Sequence, residues 1–168
     1  MTSVAGPGPA GLTVVRATVD EPLVQPMLRE LTYEYSSRYG PQAHQEMVRY
    51  PAAEFAPPHG ALLLLLEDGV AVAGGAFRRH DTPATAELKR IWTHSAHRRR
   101  GLARRVVAEL EREVAAYGYQ RIYLTTGPRQ PEARGLYLVT GYTPLFDTAA
   151  DPESIGPLAF EKHLTEQP

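Results

Sequence analysis

The chain has 168 residues, 43% of them hydrophobic and 22% charged, a size and composition suited to one domain around one core. Its net charge of −1 excludes a nucleic-acid binder that works through bulk positive charge. It contains no cysteine, which excludes disulfides, zinc–thiolate sites and thiol sensing.

Met1–Gly11 is small and rich in glycine and proline, and reads as a flexible leader ahead of a single domain over 12–168. Met1–Pro9 lacks the basic start and apolar centre of a signal peptide. No apolar run approaches the ~18 residues of a membrane span. The expected setting is cytoplasmic, with no membrane partner. Leu12–Ala17 is a first strand. Asp20 as N-cap and Pro22 in the first turn open a helix with an apolar stripe at Val24, Met27, Leu28, Leu31 and Tyr35. Arg38-Tyr39-Gly40-Pro41 ends it. A short helix is expected over Ala43–Arg49, and Pro51, Pro57 and Pro58 limit anything longer.

Ala61–Glu67 is a continuous apolar run, the pattern of a strand buried on both faces. Asp68-Gly69 turns it into a hairpin with Val70–Arg79. Gly74-Gly75 inside that second strand permits a bulge or a close approach by another element. After a turn at His80–Thr85, Ala86–Thr93 reads as the central strand. Tyr119–Thr126 is a further strand, Glu132–Thr140 a short helix capped by Gly141, and Tyr142–Phe146 and Pro157–His163 a closing strand pair.

The most informative stretch is Ala86–Tyr117. The central strand breaks at His97-Arg98-Arg99-Arg100-Gly101, and helical spacing then runs through Leu102, Ala103, Val106, Val107, Leu110, Val114 and Tyr117, with Glu109 and Glu113 on the other face. A helix N-terminus presents unpaired N–H groups and the positive end of the helix dipole. A glycine turn lets a phosphate approach that backbone closely. With Arg98, Arg99, Arg100, Arg104 and Arg105 around it, this end suits a di-anion such as a pyrophosphate. There is no G-x-x-x-x-G-K-[ST] for a Mg²⁺–nucleoside triphosphate, and only Gly101 of a dinucleotide fingerprint. A solvated basic helix start is the plainer reading of the same residues.

Arg98-x-x-Gly101-x-Ala103 resembles the (Q/R)-x-x-G-x-(G/A) acyl-CoA pyrophosphate loop of the GNAT superfamily of N-acetyltransferases. Ala133-x-x-Leu136-Tyr137-x-x-x-Gly141-Tyr142 is similar to that family's later helix motif. The two stand in the family's order, and the resemblance spans about Leu62 to Tyr142. It implies an α/β fold of the α+β kind: a mixed, largely antiparallel central sheet of six to seven strands, helices on both faces, and a splayed strand pair that admits acetyl-CoA. The splayed pair would be the central strand and Tyr119–Thr126. The implied activity is acetyl transfer from acetyl-CoA to a primary amine. With no cysteine to carry the acyl group, direct sequential attack is the simple route.

The resemblance also implies residue roles. Arg98, Arg99, Arg100, Gly101, Leu102, Ala103 and Arg104 would hold the pyrophosphate. Backbone groups of Ile91 and Thr93 would pair with the pantetheine chain, and a main-chain N–H at that strand's end would serve the oxyanion. Tyr137 matches the family's general-acid tyrosine; otherwise it is a packed helix tyrosine. Glu87 stands where relatives place a base or an ammonium partner; otherwise it is a carboxylate paired with Lys89 or Arg90. A base acting through water, and Asp81, are further options. Tyr33, Tyr35, Arg38, Tyr39 and Tyr50 are implied acceptor-site residues. The family's asparagine near the later helix is absent here, its neighbourhood taken by Pro131. His94 and His97 stand three apart in a turn without an intervening carboxylate, so no metal is expected. A monomer and a homodimer remain equally open. The rival from another class is a non-catalytic acyl-CoA-binding or regulatory module.

Overall fold

The computed structural model describes residues 2–5, 11–43 and 49–164. Its centre is an eight-stranded sheet in the order β1-β2-β3-β4-β5-β6-β8-β7. The strands are β1 (Thr2–Ala5), β2 (Leu12–Ala17), β3 (Ala61–Glu67), β4 (Val70–Arg79), β5 (Thr85–Thr93), β6 (Arg121–Thr126), β7 (Thr143–Pro144) and β8 (Leu158–His163). The helices are α1 (Gln25–Tyr39), α2 (Leu102–Ala116), α3 (Pro131–Val139) and the single turn α4 (Pro152–Ile155). Every neighbouring strand pair is antiparallel except β5 and β6.

Most of the expected elements stand where the pattern placed them, with local corrections. Thr2–Ala5, assigned to a flexible leader, instead pairs with β2 and supplies the extra strand. Asp20 is not a helix cap: it accepts from Thr18 Oγ1 at 2.7 Å, while Pro22–Val24 forms a 3₁₀ turn ahead of α1. Residues 44–48 of the short helix expected over Ala43–Arg49 lie outside the described residues.

Two cores flank the sheet. Met27 and Leu31 of α1 pack on one face with Leu62, Leu64 and Trp92. Val106, Leu110 and Val114 of α2 pack on the other with Leu63, Leu65 and Phe77. β3 is buried on both faces, as its unbroken apolar run requires. Glu109 and Glu113, placed by spacing on the solvent face of α2, are buried instead. Arg105 and Arg112 fold over Glu109 at 2.9 and 3.2 Å, and Arg16 of β2 reaches across to Glu113. Paired carboxylates can be covered in this way where unpaired ones cannot.

The glycine pair of β4 sets how closely α2 approaches the sheet. A Cβ on Gly75 would stand 2.7 Å from Ile91 Cδ1, 2.8 Å from Leu110 Cδ1 and 3.1 Å from Val106 Cγ1. Gly75→Val is therefore expected to destabilise the fold by about 2 kcal/mol through overpacking. A lowered urea midpoint at unchanged slope checks this; an unchanged midpoint contradicts the packing described.

Candidate active site

The parallel strands β5 and β6 pair only from Thr85↔Arg121 to Glu87↔Tyr123. Beyond Glu87 they part, and β6 takes its other partner from β8 along its whole length. The main chain of Leu88–Thr93 on that side therefore faces an open cleft of about 1170 Å³. This is the splay expected of these two strands.

A bulge shapes the cleft wall. Gly74 pairs with Trp92 and Ala76 with Lys89, so Arg90 and Ile91 together oppose Gly75. Arg90 takes φ +59°, in the left-handed region, where a non-glycine residue costs on the order of 1–3 kcal/mol. The extra residue returns Ile91 to the α2 face, where it packs on the core. It sends the Arg90 guanidinium to the α1 face, 4.6 Å from the Phe55 ring. No glycine or proline at this point of β5 announces the bulge; its cause lies across the pair, at Gly75.

At the far end of β5, Arg99 (φ +64°) and Gly101 (φ +75°) wind the chain into α2. Gly101 is the N-cap and offers no side chain to the first-turn N–H groups, and that turn holds no acidic residue. The first turn is thus an uncapped positive pole. Arg98, Arg99, Gly101, Leu102, Ala103 and Arg104 line the cleft. Arg100 departs from the expectation: it is outside the lining, paired with Glu67 of β3 and 2.8 Å from His97 Nδ1. Arg105, also counted in the cluster, is committed to Glu109. Ile91 and Thr93 line the cleft. His94 Nδ1 accepts from Ala96 N at 3.0 Å, which makes His94 a turn residue here.

Tyr137 reaches the cleft from α3 and is 5% exposed. Its ring packs edge-on against Tyr142 and tilted against Phe160, both at 5.6 Å. Burial, and secondarily the nearby Tyr35, hold its phenol well above the ordinary tyrosine range, so it stays protonated as a hydrogen-bond donor. Tyr142 is anchored through its hydroxyl to Glu111 Oε2 at 2.8 Å.

Glu87 lies at the apex of the splay and is 6% exposed. Its Oε1 accepts from Arg78 Nη1 at 2.8 Å, its partner in strand register, and its Oε2 is 3.8 Å from Lys89 Nζ. The pairing with Lys89 expected from the sequence is thus present; Arg78 was missed, although strand register places it opposite Glu87. Arg78 also donates to Glu54 Oε1 at 2.9 Å. Asp81 and His80 line the cleft nearby, and the His80 ring lies 4.7 Å from Tyr123.

Of the implied acceptor residues, Tyr35, Tyr39 and Tyr50 line the cleft. Tyr33 does not: it is 76% exposed on the outer side of α1. Arg38 and Tyr39 instead bind the end of α1 to the loop after β6. Arg38 pairs with Glu132 and donates to Arg129 O at 2.9 Å, and Tyr39 Oη accepts from Arg129 N at 3.0 Å. Gln130, where the family's asparagine was sought one residue on, closes this corner by accepting from Gly127 N at 3.0 Å. Glu30 is used structurally, accepting from Trp92 Nε1 and Ser95 N, both at 2.9 Å.

The uncapped first turn of α2 with its arginines, a splayed strand pair and a buried phenol therefore share one cleft. Residues 26–142 match the family model described as Acetyltransferase (GNAT) family, a span that starts well before the resemblance read from the sequence. The chain is 34% identical over 94 residues to a Bacillus subtilis (strain 168) protein named uncharacterized N-acetyltransferase YsnE; the match spans 52% of this chain and 62% of that protein. The fold is similar to aminoglycoside 6′-acetyltransferase type Ii, at 20% identity, TM-score 0.68 and coverage of 92% of this chain and 99% of that one. It is also similar to the PaiA N-acetyltransferase of Thermoplasma acidophilum solved in complex with coenzyme A, at 14% identity, TM-score 0.64 and coverage of 91% and 99%. Among the described residues no helix is long and apolar enough to cross a membrane.

Proposed function

The chain belongs to the GNAT acetyltransferase family, and on that premise we propose that it transfers an acetyl group from acetyl-CoA to a primary amine by direct attack. The carrying observation is the single cleft with Gly101 and its arginines at one end, Tyr137 within it and Glu87 at its apex. The first turn of α2 and Arg98, Arg99 and Arg104 hold the pyrophosphate. The unpaired edge of β5 at Ile91 and Thr93 receives the pantetheine amides.

The acceptor ammonium first loses a proton, through water, toward the Glu87 Oε2 side of the apex. The amine nitrogen then bonds to the thioester carbonyl carbon, and main-chain N–H groups at the bulge stabilise the oxyanion. The C–S bond breaks as the carbonyl re-forms, and the nitrogen gives up its second proton to water, leaving the neutral amide. Tyr137 donates a hydrogen bond to the departing thiolate. Because its phenol is held above its usual pKa and a thiol titrates near ~8.5, the donated bond is the contribution, and the thiolate takes its proton from solvent. The compartment we assign is the cytoplasm.

The test is thiol release from acetyl-CoA by the purified protein across a panel of amines, with product masses recorded. Amine-dependent release with one acetyl added per thiol supports the proposal. Acetyl-CoA binding with no transfer to any amine would favour a binding module instead.

A further inference from the structure

Most cations that line the cleft are arginines, Arg78, Arg90, Arg98 and Arg104 among them. One is of a different kind. Of the 18 lysines and arginines in the chain, only Lys89 and Lys162 are lysines. A guanidinium stays protonated and serves to pair with anions, whereas a lysine amine that gives up a proton is also a nucleophile. The two lysines are placed differently. Lys162 lies outside the cleft lining, where its Nζ donates to Thr140 O at 2.9 Å and to Glu111 Oε1 at 3.1 Å. Lys89 lines the cleft. It stands on β5 directly before the bulge at Arg90 and Ile91. Its Nζ is 3.8 Å from Glu87 Oε2 and 5.0 Å from the Tyr50 ring centroid. An arginine would serve as well if pairing with Glu87 were the whole task. Lys89 instead keeps a primary ammonium on the Oε2 side of Glu87, the side toward which the acceptor's proton is assigned. The same strand carries, at the bulge, the N–H groups assigned to the oxyanion.

We propose that Lys89 is itself an acyl acceptor, and that the protein acetylates it in cis when acetyl-CoA is bound and no other amine is present. This rests on the N-acetyltransferase reading of the same cleft. The Lys89 ammonium passes one proton through water toward Glu87 Oε2, its ion-pair partner. Its Nζ then bonds to the thioester carbonyl carbon. The C–S bond breaks as the carbonyl re-forms, and the nitrogen gives its second proton to water. The coenzyme A thiolate takes a proton from solvent, and the side chain is left as a neutral Nε-acetyl-lysine. Attack within one bound complex gains over attack by a dissolved amine through proximity.

The experiment uses the wild-type protein with no added amine and acetyl-CoA carrying an isotopically labelled acetyl group, at a fixed concentration. The label is mapped by peptide mass, and Lys162 serves as the internal control for uncatalysed chemical acetylation. Lys89 should be labelled at least about tenfold faster than Lys162, a small part of what proximity supplies. Its labelled fraction at a given time should not change when the protein is diluted, as expected of a reaction in cis. Excess free coenzyme A, which competes for the donor site, should slow labelling of Lys89 and leave Lys162 unchanged. Unfolding in urea should bring the two lysines to equal rates. Equal labelling of the two lysines in the folded protein, labelling of Lys89 that ignores coenzyme A, or a labelled fraction that falls on dilution overturns the proposal. If acetyl-CoA still binds and amines of the panel are still acetylated, the N-acetyltransferase reading survives that result. Absence of acetyl-CoA binding overturns that reading and this proposal with it.

Discussion

Gly101→Glu is expected to abolish acetyl-CoA binding. Gly101 caps α2 at φ +75° on the cleft lining, and a Cβ built there meets no atom within 4 Å, so a new side chain is not blocked by packing. A left-handed residue with a side chain costs about 1–2 kcal/mol, which the fold can absorb. The functional cost is larger. A carboxylate at the N-terminus of α2 satisfies the uncapped N–H groups itself and sets a negative charge where the pyrophosphate would lie. Affinity for acetyl-CoA should fall by about 10²-fold or more, as expected when charge-assisted bonds are lost and repulsion is added. Gly101→Ala supplies the control: it carries the backbone strain without the charge, and should keep most of the binding. Calorimetric titration of both variants checks this. Wild-type affinity in Gly101→Glu would remove the loop from the donor site.

Tyr137→Phe is expected to lower kcat by about 10²-fold, the range for loss of a positioned proton donor. Donor affinity should stay within about twofold, because the phenol meets the thiolate and the pyrophosphate is held at α2. The ring contacts with Tyr142 and Phe160 are apolar and survive the change. The pH profile offers a second reading. Burial holds the phenol above the ordinary ~10, so Tyr137 ionisation should produce no fall in kcat below that pH. The same shift acts on stability. In the unfolded chain the phenol ionises near ~10 while the folded one stays protonated, so stability is kept below that pH and lost above it. A fully active Tyr137→Phe variant would leave this residue a packing role only.

What could be read from the chain alone was what is local. The β5–loop–α2 unit was legible because a strand break, one glycine and a helical apolar spacing lie within about thirty residues, each with its own physical cause. Tyr137 was singled out through the resemblance alone, and the structure adds its burial in the cleft wall. Features that depend on distant partners were not legible. Arg100 looked like one of five equivalent arginines until β3 brought Glu67 beside it. The bulge at Arg90 depends on Gly75 of the neighbouring strand. Glu109 and Glu113 looked solvent-facing because arginines that cover a carboxylate leave no trace in periodicity. Thr2–Ala5 carries little apolar alternation, so its pairing with β2 had no signal. Tyr33 is a different case: Leu31 and Tyr35 are four apart on the stripe that faces the sheet, which already turns Tyr33 outward.

The central claim is that this cleft holds acetyl-CoA, and the most direct measurement is a thermal-shift titration with acetyl-CoA, with ATP as the control anion. At a ligand concentration about a hundredfold above the dissociation constant, linkage predicts about 2.7 kcal/mol of stabilisation, a rise of several degrees for a domain of this size. A rise with acetyl-CoA and none with ATP is the predicted result. No rise with acetyl-CoA, or an equal rise with both, would contradict the assignment of the cleft.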